Sequence, residues 1–384
     1  MQTKVITNAI IYTGEQDSPI ENGFIRYTNE VIEVGEMNQF QQEPNEETMD
    51  AKGKIVIPGM IDVHIHGGHG IDVMDADSEK LRFLSKQLLA EGVTSFFATT
   101  ITQSNEAIEN ALKSVKVAME DPETTIEGVH LEGPFINEVR AGAQPVEYIR
   151  DPDIDVFLGW HEASGEAIKL VTYAPERPGA KEFEEVMIER NIVPSMGHTD
   201  AVREELKTSK TSHATHLYNG MRGLHHREAG VAGHALLTDG LMVEMIVDGI
   251  HITPDMVDFA YRMKGAEGVV LISDAMRAKG LADGESELGG QKVFIKNGEA
   301  RLENGSLAGS VLKMDDAFRN MIAFTGCSIS EAVQMSSVNQ AKEFGLDKKG
   351  AIAVGKDADF VLMNHELQVE ETYHLGKRFT KEDI

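Results

Sequence analysis

Cysteine is almost absent from this 384-residue sequence, which excludes a disulfide within the chain. Cys327 is the one cysteine, and a single thiol has no intrachain partner. Long apolar runs are also missing, because no uninterrupted stretch reaches the length of a membrane-spanning helix. The first residues, MQTKVITNAIIYTG, have no cationic region followed by a long apolar one, so they predict a strand and not a secretion signal. We therefore expect a cytoplasmic protein that works in a reducing compartment and has no membrane partner.

Basic residues are few, 36 against 63 acidic ones, and the formal net charge is −27. A surface of this sign repels nucleic acids and anionic membranes, so we expect neither as a partner. A small anionic substrate is still allowed, because a single site can be locally positive. The apolar fraction of 41% supports a large core, in one big domain or in one big domain with a small one.

Short apolar runs alternate with longer amphipathic stretches through most of the chain. Stretches such as SEKLRFLSKQLLAEG and NEAIENALKSVKVAMED carry helical spacing between the runs. Eight strands alternating with helices predict an α/β fold, a TIM-like (β/α)8 barrel. A doubly wound open sheet is the main alternative, but no glycine-rich phosphate loop follows the first run. The eight runs are IVIPGMIDVHIH, GVTSFFATTI, IEGVHLEGPFI, IKLVTYAPE, NIVPSMGHTD, SHATHLYNG, LMVEMIVDGIHI and GVVLISDAM.

The two ends of the chain are rich in short strands. Residues 1–54 and 351–384 predict one small, discontinuous β-sandwich domain built from both termini, and residues 55–350 form the barrel. Near residues 289–303 the sequence GGQKVFIKNGEARLENG contains an Asn-Gly turn between apolar stretches. That pattern predicts a β-hairpin inserted into the barrel.

Almost every predicted barrel strand ends in a side chain that can bind a metal ion. His64 and His66 are two residues apart, so both point to the same face of their strand. The C-terminal ends of barrel strands meet at one face, so these side chains should converge there. Buried imidazoles and carboxylates are costly to desolvate, and a divalent cation offsets that cost. The strand-end residues are His64, His66, Glu132, His198, His216, His251 and Asp274.

Each of these residues also has a plainer interpretation when it is taken alone. A His-x-His pair is often structural, and Asp274 in SDA can cap a helix. Coincidence across six strand ends is what favours a metal centre, and metal-assisted hydrolysis is the chemistry that follows. A carboxylate must then carry a proton from water to the leaving group. Asp274 is the candidate for this role, or it is a metal ligand, or in a two-metal site it is both.

Longer motifs resemble the amidohydrolase superfamily from Lys54 to the C-terminus, through PGMIDVHIHG, SDA and GAIAVGKDADFVLMN. Within it, a further set of motifs is similar to the N-acetylglucosamine-6-phosphate deacetylase family in order and spacing. The resemblance implies hydrolysis of the acetamide of N-acetylglucosamine 6-phosphate to glucosamine 6-phosphate and acetate, in amino-sugar catabolism. The motifs are HLEGPFINEVRAGAQ, MGHT, ATHLYNGM, HREAG, DGIH, LISDAM and GSLAGS.

The resemblance also implies roles for single residues. Glu132, His198 and His216 match the principal metal ligands, and Asp274 matches the general acid/base. Some family members replace the His-x-His histidines and bind one ion. Because His64 and His66 are both present here, a second ion bridged by Glu132 is implied. The expected cofactor is thus one or two divalent ions per subunit, zinc, iron or similar.

A second set of residues matches contacts to the phosphorylated amino sugar. His251 and Gln144 match positions beside the sugar and its acetyl group, although some members carry a histidine where Gln144 stands. Asn219 and Gly220 match a turn whose N–H groups hold the phosphate. Arg227 matches a phosphate ligand that crosses a dimer interface, which implies a homodimer. Plainer interpretations stay open for two of these positions: Asn219 can form a simple turn, and Arg227 can form a surface ion pair with Glu228. His225 and His226 can assist phosphate binding or pack at the interface, and the sequence leaves both roles open.

Two other functions stay open at this point. Another amidohydrolase, such as a D-amino-acid deacylase or a cyclic amidase, would use the same strand-end ligands without the arginine for phosphate. A scaffold of the superfamily that has lost catalysis would be expected to lose ligands or the base. All of these residues are present in this sequence, which favours an enzyme.

Overall fold

The structure is a computed structural model that describes residues 2–384. Met1, the first residue of the N-terminal segment predicted to form a strand, lies outside the described residues. The N-terminal strands form a small mixed sheet. β1 pairs antiparallel with β2, which pairs with β3, and the other edge of β1 runs parallel first to β4 and then to β5. Their bounds are β1 (Lys4–Ile11), β2 (Ile20–Tyr27), β3 (Val31–Glu36), β4 (Glu47–Asp50) and β5 (Ile55–Pro58).

Eight parallel strands follow one another around a barrel, which confirms the predicted (β/α)8 fold. The first and last strands close the ring, because the N–H of Asp274 donates to the carbonyl of His64 at 2.8 Å and Ile65 bridges Ala275. The barrel strands and the short hairpin β7–β8 are β6 (Met60–Ile65), β7 (Gly67–Gly68), β8 (Ile71–Asp72), β9 (Val93–Thr100), β10 (Ile126–Glu132), β11 (Ile168–Tyr173), β12 (Val193–Met196), β13 (His213–Ala214), β14 (Met242–Ile246) and β15 (Val269–Ile272).

Helices pack around the barrel through apolar stripes. In α1 the side chain of Asp77 accepts from the N–H groups of Glu79 and Lys80 and caps the helix, and its buried face repeats every three or four residues. Within residues 2–384, none of the helices combines the length and the apolarity that crossing a membrane requires. The helices are α1 (Ser78–Leu88), α2 (Asn105–Met119), α3 (Ile154–Ala163), α4 (Ala180–Ile188), α5 (Arg203–Leu206), α6 (Gly230–Leu237), α7 (Pro254–Lys264), α8 (Met314–Thr325), α9 (Ile329–Val333) and α10 (Asn339–Glu343).

An antiparallel sheet of three strands covers the predicted insertion near residues 289–303 and the residues just before it, formed by β16 (Gly284–Leu288), β17 (Gln291–Lys296) and β18 (Glu299–Leu302). β17 and β18 are joined at Asn297-Gly298, where both residues have positive φ, as the predicted hairpin turn requires. β16 was not predicted, because its sequence GESEL has little strand preference of its own. It becomes a strand by pairing with β17 along its whole length.

The C-terminal strands join the small sheet as β19 (Phe360–Met363), β20 (Val369–His374) and β21 (Lys377–Phe379). β19 pairs antiparallel with β5, so strands from both ends of the chain form one sheet. The ring of Tyr27 on β2 packs edge-on against Phe360 and Tyr373, with centroids 5.2 and 5.8 Å apart. The sheet therefore folds over a core of its own.

The run IVIPGMIDVHIH divides between the small sheet and the barrel and does not form one barrel strand. β5 lies in the small sheet, and the first barrel strand begins at Met60. Pro58 and Gly59 separate them, and a Cβ on Gly59 would come within 2.0 Å of the Thr94 hydroxyl. The chain can pass from sheet to barrel at this close contact only with glycine. The assignment of 1–54 with 351–384 to one domain and of 55–350 to the other stays a prediction, with β5 on the small-sheet side.

Candidate functional site

Three of the predicted ligands lie where a barrel strand turns into its loop, with the backbone in the left-handed region. The φ angles are 46° at His198, 30° at His216 and 47° at Asp274. A residue other than glycine held in this region costs about 1–3 kcal/mol, and such residues cluster at functional sites. The strained turns therefore mark this end of the barrel as the candidate site.

Glu132, His198 and His216 form the first group of ligands. Glu132 Oε1 lies 3.2 Å from His198 Nε2 and 3.0 Å from His216 Nε2, and the two nitrogens are 3.1 Å apart. The opposite nitrogen of His198, Nδ1, lies 2.8 Å from the carbonyl of Arg140. Because a carbonyl only accepts, Nδ1 carries the proton and Nε2 keeps its lone pair for the centre.

His64, His66 and Asp274 form the second group. Asp274 Oδ1 lies 3.4 Å from His64 Nε2 and 3.3 Å from His66 Nε2. His66 Nε2 is also 3.1 Å from Glu132 Oε2. The two oxygens of Glu132 therefore face different groups, Oε1 the first and Oε2 the second.

The residues of both groups fit a divalent cation. His64 Nε2 is buried between carboxylates without a hydrogen-bond partner in residues 2–384, which is unfavourable unless something binds it. In the same part of the chain, each group brings three ligand atoms within 4.8 Å of one another. Imidazole nitrogens and carboxylate oxygens without thiolates suit zinc, iron or manganese.

The electrostatics of the centre also favour a cation. Burial alone would lower the pKa of His64, but the carboxylates of Asp274, Glu244 and Glu132 raise that pKa well above its usual value. Burial lowers the pKa of His66, but hydrogen bonds to Asp274 and Glu132 raise it, and the result is a pKa of about 9. Burial would raise the pKa of Glu132, yet the neighbouring His64, His198 and His216 hold it well below its usual value. Protons on imidazoles thus balance the carboxylates, and a divalent ion can replace them.

A cavity of about 320 Å³ opens above the two groups. Gln144 lines it and donates from Nε2 to Glu132 Oε2 at 2.8 Å, while its Oε1 accepts from the N–H of Thr102 at 2.9 Å. His251 also lines it, and its Nδ1 lies 2.6 Å from Asp248 Oδ2. The predicted site residues in the lining are His66, Glu132, Gln144, His198, His216, Asn219, Gly220, His251 and Asp274.

The turn at Asn219 and Gly220 lies directly against the ligands. Gly220 has φ +57°, and a Cβ there would come within 2.9 Å of His198 Nδ1. Glycine is therefore required both by the backbone angle and by the close approach of the imidazole. The N–H of Asn219 donates to the carbonyl of His216 at 2.9 Å, which ties the turn to a ligand residue.

Arg227 lies outside the cavity on an exposed loop. Its Nη1 is 2.8 Å from His226 Nε2, and the rings of His225 and His226 are 4.2 Å apart. In the described part of the chain, no salt bridge joins Arg227 to Glu228, whose Oε1 accepts from the N–H groups of Arg203 and Gly230 instead. The surface ion pair that the sequence left open is therefore not formed.

Sequence reasoning missed three buried polar residues beneath the ligands. Glu244, His213 and His130 are fully buried. Glu244 Oε2 lies 2.9 Å from His64 Nδ1, and His130 Nε2 lies 2.7 Å from the hydroxyl of Thr172. A charged residue within the apolar run LMVEMIVDG was the signal that could have found Glu244.

Asp62 has a structural part in the barrel. Its Oδ2 accepts from the hydroxyl of Ser273 at 2.5 Å, and its Oδ1 accepts from the N–H groups of His64 and Ser273. Burial raises the pKa of Asp62 to about 6, against the lowering effects of Lys279 and Ser273. These contacts join the first barrel strand to the end of the last one.

Known proteins resemble this chain over nearly its whole length. The model of the amidohydrolase family matches residues 55–379. An N-acetylglucosamine-6-phosphate deacetylase of Lysinibacillus sphaericus is 44% identical over 334 residues, 86% of each protein, and one of Bacillus subtilis (strain 168) is 42% identical over 363 residues, 92% of each. The crystal structure of an N-acetylglucosamine-6-phosphate deacetylase from Thermotoga maritima superposes with a TM-score of 0.88 at 35% identity, covering 98% of this chain and 100% of that one.

Proposed function

We propose, since the chain belongs to the amidohydrolase family, that it hydrolyses the acetamide of N-acetylglucosamine 6-phosphate to glucosamine 6-phosphate and acetate. One observation carries the proposal: five of the six proposed ligands, from both groups, line a single cavity with the turn at Asn219 and Gly220. Relatives named for this reaction match the chain at 42–44% identity. A cavity of about 320 Å³ suits a monosaccharide phosphate.

The proposed cofactor is one or two divalent ions per subunit, zinc, iron or similar, and the presence of two ligand groups favours two, with Glu132 able to serve both groups. Glu132 supports this count, because Oε1 faces His198 and His216 while Oε2 faces His66. Bound ions of this kind supply Lewis-acid chemistry, which polarises a carbonyl and makes water a stronger acid. The site residues proposed as ligands are His64, His66, Glu132, His198, His216 and Asp274.

Asp274 is the proposed general acid/base. It stands at the end of the last barrel strand, and its carboxylate faces the cavity next to both His-x-His imidazoles. Burial raises its pKa, but the nearby His64 and His66 outweigh burial and lower that pKa, so the carboxylate is ionised and ready to accept a proton. Asp274 takes the proton of the attacking water and then gives it to the departing amine nitrogen. His251 and Gln144 hold the sugar and the acetyl oxygen.

The phosphate is the proposed anchor of the substrate. The N–H of Gly220 in the turn at Asn219 and Gly220 and the guanidinium of Arg227 are the donors that an anion needs, whereas the N–H of Asn219 already donates to the His216 carbonyl. Arg227 is exposed and outside the cavity of its own subunit, so we assign it to the site of a second subunit in a cytoplasmic homodimer. An anchor far from the reacting bond contributes binding energy that helps to position the acetamide.

The first experiment compares acetate release from N-acetylglucosamine 6-phosphate and from N-acetylglucosamine, with and without prior chelation. We expect fast release that is lost on chelation and that needs the phosphate. Equal kcat/KM for the two sugars would contradict the phosphate site. No release from either sugar, with metal still bound, would transfer the function to another branch of the amidohydrolases. A protein that holds no metal after careful purification would revive the non-catalytic scaffold.

A further inference from the structure

We infer that Glu244, in the middle of β14, is a positioning residue that sets the ring of His64 and the backbone turn at His216, and so couples the two ligand groups. The inference rests on the proposed metal centre. It concerns a residue that does not line the cavity and therefore does not touch substrate.

Both oxygens of the Glu244 carboxylate form hydrogen bonds inside the protein. Oε2 lies 2.9 Å from His64 Nδ1 and accepts from the N–H of His216 at 3.0 Å. Oε1 lies 3.2 Å from His213 Nε2. The side chain is fully buried. An ionised carboxylate only accepts hydrogen bonds, so each of these three partners acts as a donor toward it.

The contact to His64 fixes which nitrogen faces the centre. With Nδ1–H donating to Glu244, Nε2 is the nitrogen that points between Asp274 and Glu132, at 3.4 and 3.7 Å, where a bound ion would replace its proton. A carboxylate on the far nitrogen of a ligating histidine holds both the ring orientation and the tautomer. Without this acceptor the buried Nδ1–H would have no partner, and the ring would no longer be held in this orientation.

The contact to His216 holds a strained turn. His216 has φ 30°, in the left-handed region where a side chain other than glycine is strained. Its N–H donates to the Glu244 side chain, and the next N–H, of Leu217, donates to the Glu244 backbone carbonyl at 2.9 Å. One residue therefore holds two successive N–H groups of the turn that directs His216 toward Glu132.

Glu244 is itself held from the side away from the centre. His213 bridges Glu244 and Glu343, with His213 Nδ1 2.9 Å from Glu343 Oε1. Glu343 belongs to α10, the last helix before the small sheet is completed. The position of the carboxylate is thus fixed by a strand and by a helix outside the barrel wall.

The test compares Glu244→Leu, which removes the acceptor, with Glu244→Gln, which keeps one. In the glutamine variant the amide oxygen can accept from His64 and His216, and the NH2 group can donate to His213 Nε2 when His213 carries its proton on Nδ1. Glu184→Leu is the matched control. Glu184 is a buried carboxylate on α4 that accepts from the Tyr173 hydroxyl at 2.6 Å, away from the cavity.

Each protein is dialysed against buffered Co²⁺, and the readouts are the number of ions per folded subunit, their affinity and the visible absorption of the bound ion. We expect Glu244→Leu to weaken binding about 10- to 100-fold and to change the spectrum. We expect Glu244→Gln and Glu184→Leu to bind Co²⁺ like the wild type. Wild-type affinity and spectrum in Glu244→Leu would overturn the inference.

Two further outcomes also decide the matter. Equal loss in the leucine and glutamine variants would assign the effect to charge and overturn positioning by hydrogen bonds. If Glu244→Leu does not fold, Glu244→Asp replaces it, because aspartate keeps the charge but withdraws the oxygens by one methylene. Wild-type affinity in that variant would then overturn the inference. Absence of metal from the wild type would instead overturn the proposed centre, and this inference with it.

Discussion

Glu132 belongs to the first ligand group and also contacts the second, and this geometry predicts how many ions a subunit binds. Its Oε2 faces His66, whose Nε2 lies between Glu132 and Asp274. We expect His66→Gln to reduce the metal content from two ions per subunit to one, because the second group loses a ligand while the first keeps Glu132, His198 and His216. Elemental analysis of the folded protein after dialysis measures the content.

His69→Gln is the control for this variant. His69 is a nearby histidine in the same glycine-rich segment, but in residues 2–384 it belongs to none of the three groups of side chains that could hold a metal ion. Its replacement should leave the metal content unchanged. Two ions in His66→Gln, or one ion in the wild type, would contradict the division of ligands between the groups.

Asp274 combines two possible roles, and a single variant separates them. We expect Asp274→Asn to lower kcat by about 10²- to 10⁴-fold, because an amide cannot take the proton from water or return it to the amine. The measurement is acetate release at saturating substrate, repeated with excess divalent ion. Recovery of the rate in excess ion would mean that Asp274 acts as a ligand only and would refute its acid/base role.

Sequence position was sufficient to find residues at strand ends, but it was insufficient for residues inside strands. His64, Glu132 and Asp274 stand where a barrel exposes its strand ends, so the fold itself brings them together. Glu244 was missed because apolar neighbours hide it within a run typical of a buried strand, and His213 was missed because it begins its strand and does not end it. That Glu244 faces His64 and that His213 faces Glu244 depends on distances that no sequence spacing specifies.

β13 is only two residues long, and its His213 side chain connects it to Glu244 on the neighbouring strand β14 and to Glu343 on α10. Burial lowers the pKa of His213, but Glu343 and Glu244 raise it to about 10. A pKa raised above the unfolded value near 6.5 gives stability that is fully present below pH 6.5. That stability is lost as the pH rises through about 10.

His213→Gln tests this contribution. We expect the chelator-treated wild type to be more stable than the variant near pH 6.5, and we expect the difference in free energy of unfolding to shrink steadily toward pH 10. Urea unfolding at several pH values, under identical ionic strength, measures it. A difference that does not change with pH would show that His213 stabilises the fold through packing and neutral hydrogen bonds alone.

Whole elements were predicted where a single pattern covered them and were missed where tertiary contacts decided. The alternation of apolar runs and amphipathic stretches gave all eight barrel strands, because a (β/α)8 barrel repeats one local unit. The run IVIPGMIDVHIH was treated as one strand, although it changes sheets at Pro58 and Gly59. β16 is a strand only through its partner β17.

A net charge of −27 makes an anionic substrate unfavourable for the molecule as a whole. Binding a phosphate therefore depends on a local cluster of donors, and the cavity of one subunit brings the Asn219 turn but not Arg227. The sequence predicted the dimer through the family resemblance alone, because the sequence around an exposed loop arginine does not show whether it binds a ligand of its own subunit or of a second one. A test of the shared site must therefore mix two subunits.

Two inactive variants should restore activity in each other if Arg227 acts across the interface. Arg227→Ala lacks the phosphate ligand and Asp274→Asn lacks the acid/base. In a mixed dimer, the site on the Arg227→Ala subunit has Asp274 and receives Arg227 from the other subunit. Random exchange makes half of the dimers mixed, each with one intact site, so about a quarter of the wild-type kcat/KM is expected.

The controls are the two variants taken separately through the same unfolding and refolding step, each of which should stay nearly inactive. Arg227 is exposed, so its replacement should not disturb folding, and a loss of activity can be attributed to phosphate binding. If Arg227 served its own subunit, no mixed dimer would contain a site with both residues, and the mixture would stay as inactive as its components. That result would place the phosphate anchor within one chain and would remove the reason to expect a dimer.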